Sequence, residues 1–176
     1  GTLTHVQTVI FDDESSAKSR IRGVAGIEFN KDGTKLFISS TQPEKPAEDT
    51  VHVNEFNLST PYDISSRTYA GDSERCAMSE IPVVGVRAVY DLEFNNDGTK
   101  LFVASRTRTN SADSDNLFRY DLTTPYDIST RVYAGDSERC LLEGITSNGG
   151  IFDLEFTSDG KRVFFVKSAF NSNNAS

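Results

Sequence analysis

Apolar residues in this chain fall in short runs, rich in aromatic and β-branched side chains and bounded by Gly, Pro, Asn and Asp. That is the pattern of β-strands joined by tight turns. It predicts inner strands at about Ala25 to Asn30, Tyr90 to Asn95 and Phe152 to Thr157. A turn closes each, with Asp-Gly at Asp32 and Gly33, Asp97 and Gly98, and Asp159 and Gly160. Gly accepts the positive φ that a hairpin needs, and Asp bonds the turn's own backbone. Second strands follow at Lys35 to Ser39, Lys100 to Ala104 and Arg162 to Lys167. A third strand fits Val51 to Leu58 and Asn116 to Leu122; in the first, Val53, Glu55 and Asn57 alternate with Asn54, Phe56 and Leu58. A fourth fits Ser66 to Ala70 and Thr130 to Ala134, ended by Gly71 and Gly135. The polar stretches Thr41 to Thr50 and Arg106 to Asp115 read as loops. Ser59 to Ile64 reads as a turn in which Pro61 sets φ and Tyr62 and Ile64 anchor it to the core.

The pattern repeats. Thr60 to Cys76 returns as Thr124 to Cys140 with changes only at positions 66/130 and 68/132. The phrase Ile27 to Phe37 returns at Leu92 to Phe102 and at Leu154 to Phe164, and Phe29, Phe94 and Phe156 stand 65 and then 62 residues apart. A long period with several strands inside each unit points to stacked all-β units. Four antiparallel strands joined by short hairpins make the blade of a β-propeller. The prediction is therefore one all-β region with blades of about 63 residues: 24–85 the first, 86–148 the second, and 149–176 half of a third. Residues 1–23 hold a linker and an orphan outer strand at His5 to Phe11. Two and a half blades cannot close a ring that takes about 4–8. The count predicts a piece of a longer chain, ahead of a protomer whose ring other copies complete.

Composition narrows the function classes. With 18 Lys and Arg against 26 Asp and Glu, the formal charge is −8 and the basic residues are scattered, which excludes a phosphate-tracking nucleic-acid surface. No apolar run is long enough to span a membrane, and a chain that starts at Gly1 leaves export open. Cys76 and Cys140 occupy the same place in successive repeats and belong to no metal-binding pattern, so free, packed thiols are expected.

The phrase Phe-x-x-Asp-Gly-x-x-Leu/Val-Phe, at Phe29 to Phe37, Phe94 to Phe102 and Phe156 to Phe164, resembles the inner-hairpin signature of lactonase-like and translocation-protein-like β-propellers. The fuller pattern from Val53 to Ser65 is similar to tandem propeller repeats of uncharacterised marine bacterial and phage structural proteins. The first resemblance implies a way to build a blade; the second brings no known chemistry.

Candidate chemistry centres on the inner strands. Glu28, Glu93 and Glu155 recur in register, with Asp91 and Asp153 two residues earlier and Gly26 in that place in the first repeat. Carboxylates lining a channel could ring a hard cation such as calcium through oxygen ligands. Alternatively each Glu pairs with a basic neighbour: Arg22 and Arg87 lie six residues before, Lys35, Lys100 and Arg162 seven after. Asp113 to Asn116 has half the acidic spacing of a calcium loop but lacks its Gly and distal Glu, so a polar turn is expected. His5 and His52 are the only histidines, and the nucleophile-elbow motif is absent, so no catalytic residue is assigned. Asn57 and Asn174 fit the glycosylation pattern, which matters only in a glycosylating cell. Tyr62, Tyr126, Tyr69 and Tyr133, repeated in register, are expected in the core.

Enzymes on a propeller build one site from residues with different jobs, whereas these repeats read alike. The expected function is a noncatalytic scaffold for binding or structural assembly, outside the cell, in a periplasm or on a virion. It would present the 41–50 and 106–115 segments to a protein or glycan surface through repeated contacts. The alternative is a lactonase-like, metal-dependent hydrolase using Glu93 or Asp91, with part of its site in further blades.

Overall fold

The computed structural model describes residues 7–9, 11, 21–42, 51–78, 86–109, 112–141 and 151–167. These residues are all-β, with no α-helix among them. The strands are β1 (Arg22–Phe29), β2 (Lys35–Gln42), β3 (His52–Leu58), β4 (Arg67–Tyr69), β5 (Arg75–Ala77) and β6 (Val86–Phe94). There follow β7 (Lys100–Thr109), β8 (Ala112–Leu122), β9 (Arg131–Tyr133), β10 (Cys140–Leu141), β11 (Ile151–Phe156) and β12 (Val163–Lys167). They form three antiparallel sheets. The first runs β1-β2-β3 with β4 and β5 both on β3; the second runs β6-β7-β8 with β9 and β10 both on β8; the third is β11-β12.

Turn chemistry sets the hairpins. Asn30 Oδ1 accepts from the Lys35 amide at 2.8 Å and Asp32 Oδ1 from the Thr34 amide at 3.2 Å. Asn95 and Asp97 repeat this toward Lys100 and Thr99, at 2.8 and 3.0 Å. Gly33 and Gly98 both hold φ of +71°, and a Cβ there would come within 2.4 and 2.3 Å of the Tyr62 and Tyr126 rings. The Pro-Tyr turn thus docks on the Asp-Gly turn of its own sheet. The Tyr62 and Tyr126 amides each donate to the Gly carbonyl at 2.9 Å, which holds the tyrosines at φ of 59° and 55°.

Three expectations change. The fourth strand is short and split: β4 ends at Tyr69, a 3-10 turn takes Asp72–Glu74, and β5 returns to pair with β3. Residues 106–109 and 112–115 are not loop but paired strand, laddered as far as Thr109 opposite Ala112, while 110 and 111 lie outside the described residues. Its register sets Arg106 opposite Asp115, a complementary pair for a sheet. In the proposed orphan strand, residues 7–9 and 11 have no strand pairing, and the rest lies outside the described residues, as do residues 43–50.

The sheets pack face to face. Phe37, Val53, Cys76 and Met78 of the first meet Val89, Leu92, Phe94 and Ile128 of the second. Ala104 of the second meets Ile151 and Leu154 of the third. One joint is used twice: Phe37 packs on Phe94, and Phe102 on Phe156, each at 4.6 Å between ring centroids. Tilted aromatic pairs of this kind add about 0.5–1.5 kcal/mol beyond area burial.

Candidate functional site

Strands β1, β6 and β11 lie side by side, each the first strand of its sheet. Glu28, Glu93 and Glu155 therefore hold one register, each opposite a phenylalanine: Phe37, Phe102 and Phe164. Asp91 is buried, and its Oδ2 accepts from the Leu154 amide at 2.7 Å, tying the second sheet to the third. In the first sheet that place belongs to Gly26, whose amide donates to Ser39 Oγ at 2.7 Å. A Cβ on Gly26 would stand 2.5 Å from Asp91 Oδ1 and 2.9 Å from its Cα. The missing carboxylate in the repeat is thus the space that Asp91 fills.

Burial and neighbouring carboxylates act on three of these groups, Glu28, Asp91 and Glu93. Glu93 is pushed up to about 8, first by burial and then by Glu28, Glu155, Asp91 and Asp153. Glu28 is pushed up to about 7 by burial, Asp91 and Glu155. Burial raises Asp91 to about 6 against the opposing Leu154 amide, with Asp153 adding to the rise. Like charges in a partly desolvated site hold protons more tightly. Such a cluster can take up protons, or exchange them for a cation. Among the described residues, however, no three His, Cys, Asp or Glu side chains converge as a group that could hold a metal ion.

The ion-pair reading fails for the lysines it named. Lys35 Nζ meets Glu55 Oε1 at 2.7 Å and Lys100 Nζ meets Asp121 Oδ1 at 3.0 Å, so both reach outward along their sheets. The side chains of Arg22 and Arg87 lie outside the described residues. Glu55 escaped the sequence reading. It is buried in β3 at 1% exposure and pushed up to about 7 by burial, against the pull of Lys35. The available signal was its alternation in phase with Val53, which put it on a core face.

Asp113 to Asn116 belongs to β8 and forms no turn, and Asp115 and Asn116 are buried there. His52 is buried in β3, two strands away from β1, and His5 lies outside the described residues. Tyr69 packs on Phe56 at 5.7 Å and Tyr133 on Tyr120 at 5.8 Å, and Tyr126 is half-buried, whereas Tyr62 is 55% exposed, which corrects the expectation that it lies in the core. Cys76 is buried, whereas Cys140 is exposed, which corrects the expectation that both are packed. No helix among the described residues is long and apolar enough to cross a membrane.

No family model matches this chain, and neither the curated proteins nor the solved structures contain a match to it.

Proposed function

We propose that the chain is a noncatalytic repeat scaffold of propeller type that binds a protein or glycan surface. One observation carries this reading: successive sheets set the same kind of group, a carboxyl, at the same register of their first strands. A single catalytic site needs an acid, a base and a nucleophile in different roles. Repetition instead suits multivalent contact. The long β7–β8 hairpin is the element through which the second sheet would read its partner, in a setting outside the cell or on a virion. A hard cation such as calcium would be held there by at most two carboxyls, with water completing its shell, since no three converge among the described residues. A melting temperature that neither a chelator nor added calcium moves would remove that cation.

The binding reading is tested on a glycan array, with the intact chain and with a variant in which an Asn-Gly turn replaces residues 107–114. Selective binding that the trimmed, still folded variant loses supports it. Equal binding by both variants removes the hairpin, and binding by neither removes the glycan. The raised Asp91 and Glu93 favour one second reading, a metal-dependent hydrolase. Turnover of lactones or esters with added divalent metal, lost in Glu93→Gln, would put that reading first.

A further inference from the structure

We infer that the two outer faces of this three-sheet stack are the halves of one joint, made head to tail between copies of the chain. The inference stands apart from whatever the β7–β8 hairpin binds. Inside the chain the joint has a fixed form. Phe37 of β2 sits on Phe94, beside the buried Val89 and Leu92 of β6.

Counterparts of both halves lie open at the ends of the stack. In β1, Val24 and Ile27 stand where β6 has Val89 and Leu92, yet they are 47% and 51% exposed against 0% and 1%. In β12, Phe164 stands where β2 has Phe37 and is 61% exposed against 0%. Val166, on the same face, is 58% exposed where Ser39 and Ala104 are fully buried. Scattered apolar exposure is ordinary. These residues instead match, position by position, a joint that the chain has already made twice.

The shape of the vacancy names its occupant. Glu74 and Met78, on the outer edge of the first sheet, cover the outer half of the second: Glu74 Oε2 accepts from the Ser129 amide at 3.3 Å, and Met78 Sδ meets Tyr120 Oη at 4.0 Å. Gln7 and Phe11, with the same spacing, do this to the first sheet: Gln7 Oε1 accepts from the Ile64 amide at 2.9 Å, and Phe11 packs on Phe56 at 5.5 Å. The outer half is therefore already filled by the chain itself. What stays open is the inner half around Ile27 and Phe29, which takes a pair of inner strands. Strands β11 and β12 of a second copy are that pair, and they bring Phe164 to Phe29. Arg162 then takes the place of Lys35, whose Nζ donates to the Tyr126 carbonyl at 2.9 Å, and reaches the carbonyl of Tyr62. Such a contact uses a different face on each partner, so it makes a ring where the rotation closes and a filament where it does not.

Light scattering after size exclusion, over a wide concentration range, tests this. The expected result is a multiple of 19.4 kDa for the intact chain. Ile27→Glu and Phe164→Glu should each fall to a single chain with unchanged circular dichroism. Mixed together they should restore a two-chain species, because each keeps one intact face. Val132→Glu, at a site 61% exposed on β9 and away from both faces, should assemble like the parent. A parent that stays at one chain throughout overturns the inference. So do face variants that assemble unchanged, a mixture that stays monomeric, and a Val132 variant that dissociates.

Discussion

The segments Thr60 to Cys76 and Thr124 to Cys140 differ at two positions, yet they lie in unlike surroundings. Ile128 is fully buried, while Ile64 is half-buried. Tyr126 is half-buried, while Tyr62 is 55% exposed. Cys76 is buried and Cys140 is exposed. The same contrast runs through the strands beside them: Glu55 is sealed against the second sheet, while its counterpart Arg119 bridges Asp121 and Glu138 at a wetter edge. Local sequence sets the turns, and the neighbouring sheet sets the burial. Stability in such an array is a sum of units and of joints between them.

The largest test of that division is Phe94→Ala against Phe29→Ala. Phe94 is 5% exposed between Phe37 and Tyr126, so its loss should cost about 3–5 kcal/mol. Phe29 contacts Tyr62 but has no preceding sheet over it among the described residues, and its loss should cost about 1–2 kcal/mol. Denaturant midpoints measure both, and equal losses would mean that the joint contributes nothing beyond the unit.

Next in size is the buried ion pair. Lys35→Met leaves the Glu55 carboxylate in the core without its partner, which should cost about 3 kcal/mol above pH 8. At pH 5 the carboxyl is protonated and the loss should shrink. Lys100→Met removes a pair whose Asp121 side chain is 45% exposed, worth at most about 1 kcal/mol at either pH. Equal pH dependence in the two variants would place Glu55 in water.

The inner carboxyls give a smaller, signed effect. Glu28, Asp91 and Glu93 are all raised above their ordinary values, so the folded state binds more protons than the unfolded one between about pH 4 and 8. Their contribution is most favourable below the ordinary values and is lost as pH rises through the folded ones. Melting temperature in metal-free buffer should therefore fall from pH 5 to pH 8, and Glu93→Gln should flatten the fall. A rise over that window would reverse the assigned directions.

Much of the fold was legible because its signals are local. Asp-Gly turns, Pro61 and Pro125, and the alternation around Phe56 each act within a few residues. The split fourth strand was missed because Asp72 to Glu74 reads as a terminator, whereas the 3-10 turn there only steps the chain across to β5. The β7–β8 hairpin was missed because polar composition reads as loop, while its pairing lies in the register between two strands. For the site, the recurrence of glutamate was visible. That Lys35 and Lys100 turn away from it, and that Gly26 yields its space to Asp91, depend on packing between sheets that no single repeat contains.

The smallest perturbation is a probe of the two thiols. Both follow the same Ser-Glu-Arg sequence, so local chemistry predicts equal reactivity toward a thiol reagent. Position in the stack predicts otherwise. Cys76 lies at 0% exposure among Met78, Val86 and Val89, where the reagent reaches it only when the sheets part. Cys140 is exposed beside a small apolar cleft with Ile151 and Leu154. Labelling of native protein should modify one thiol per chain promptly, and the second only on the timescale of opening, with denaturant equalising the two. Cys140→Ser should remove the fast phase and Cys76→Ser the slow one. Two fast phases in the native protein would mean that the joint between the first two sheets opens freely, and that identical segments do after all share one environment.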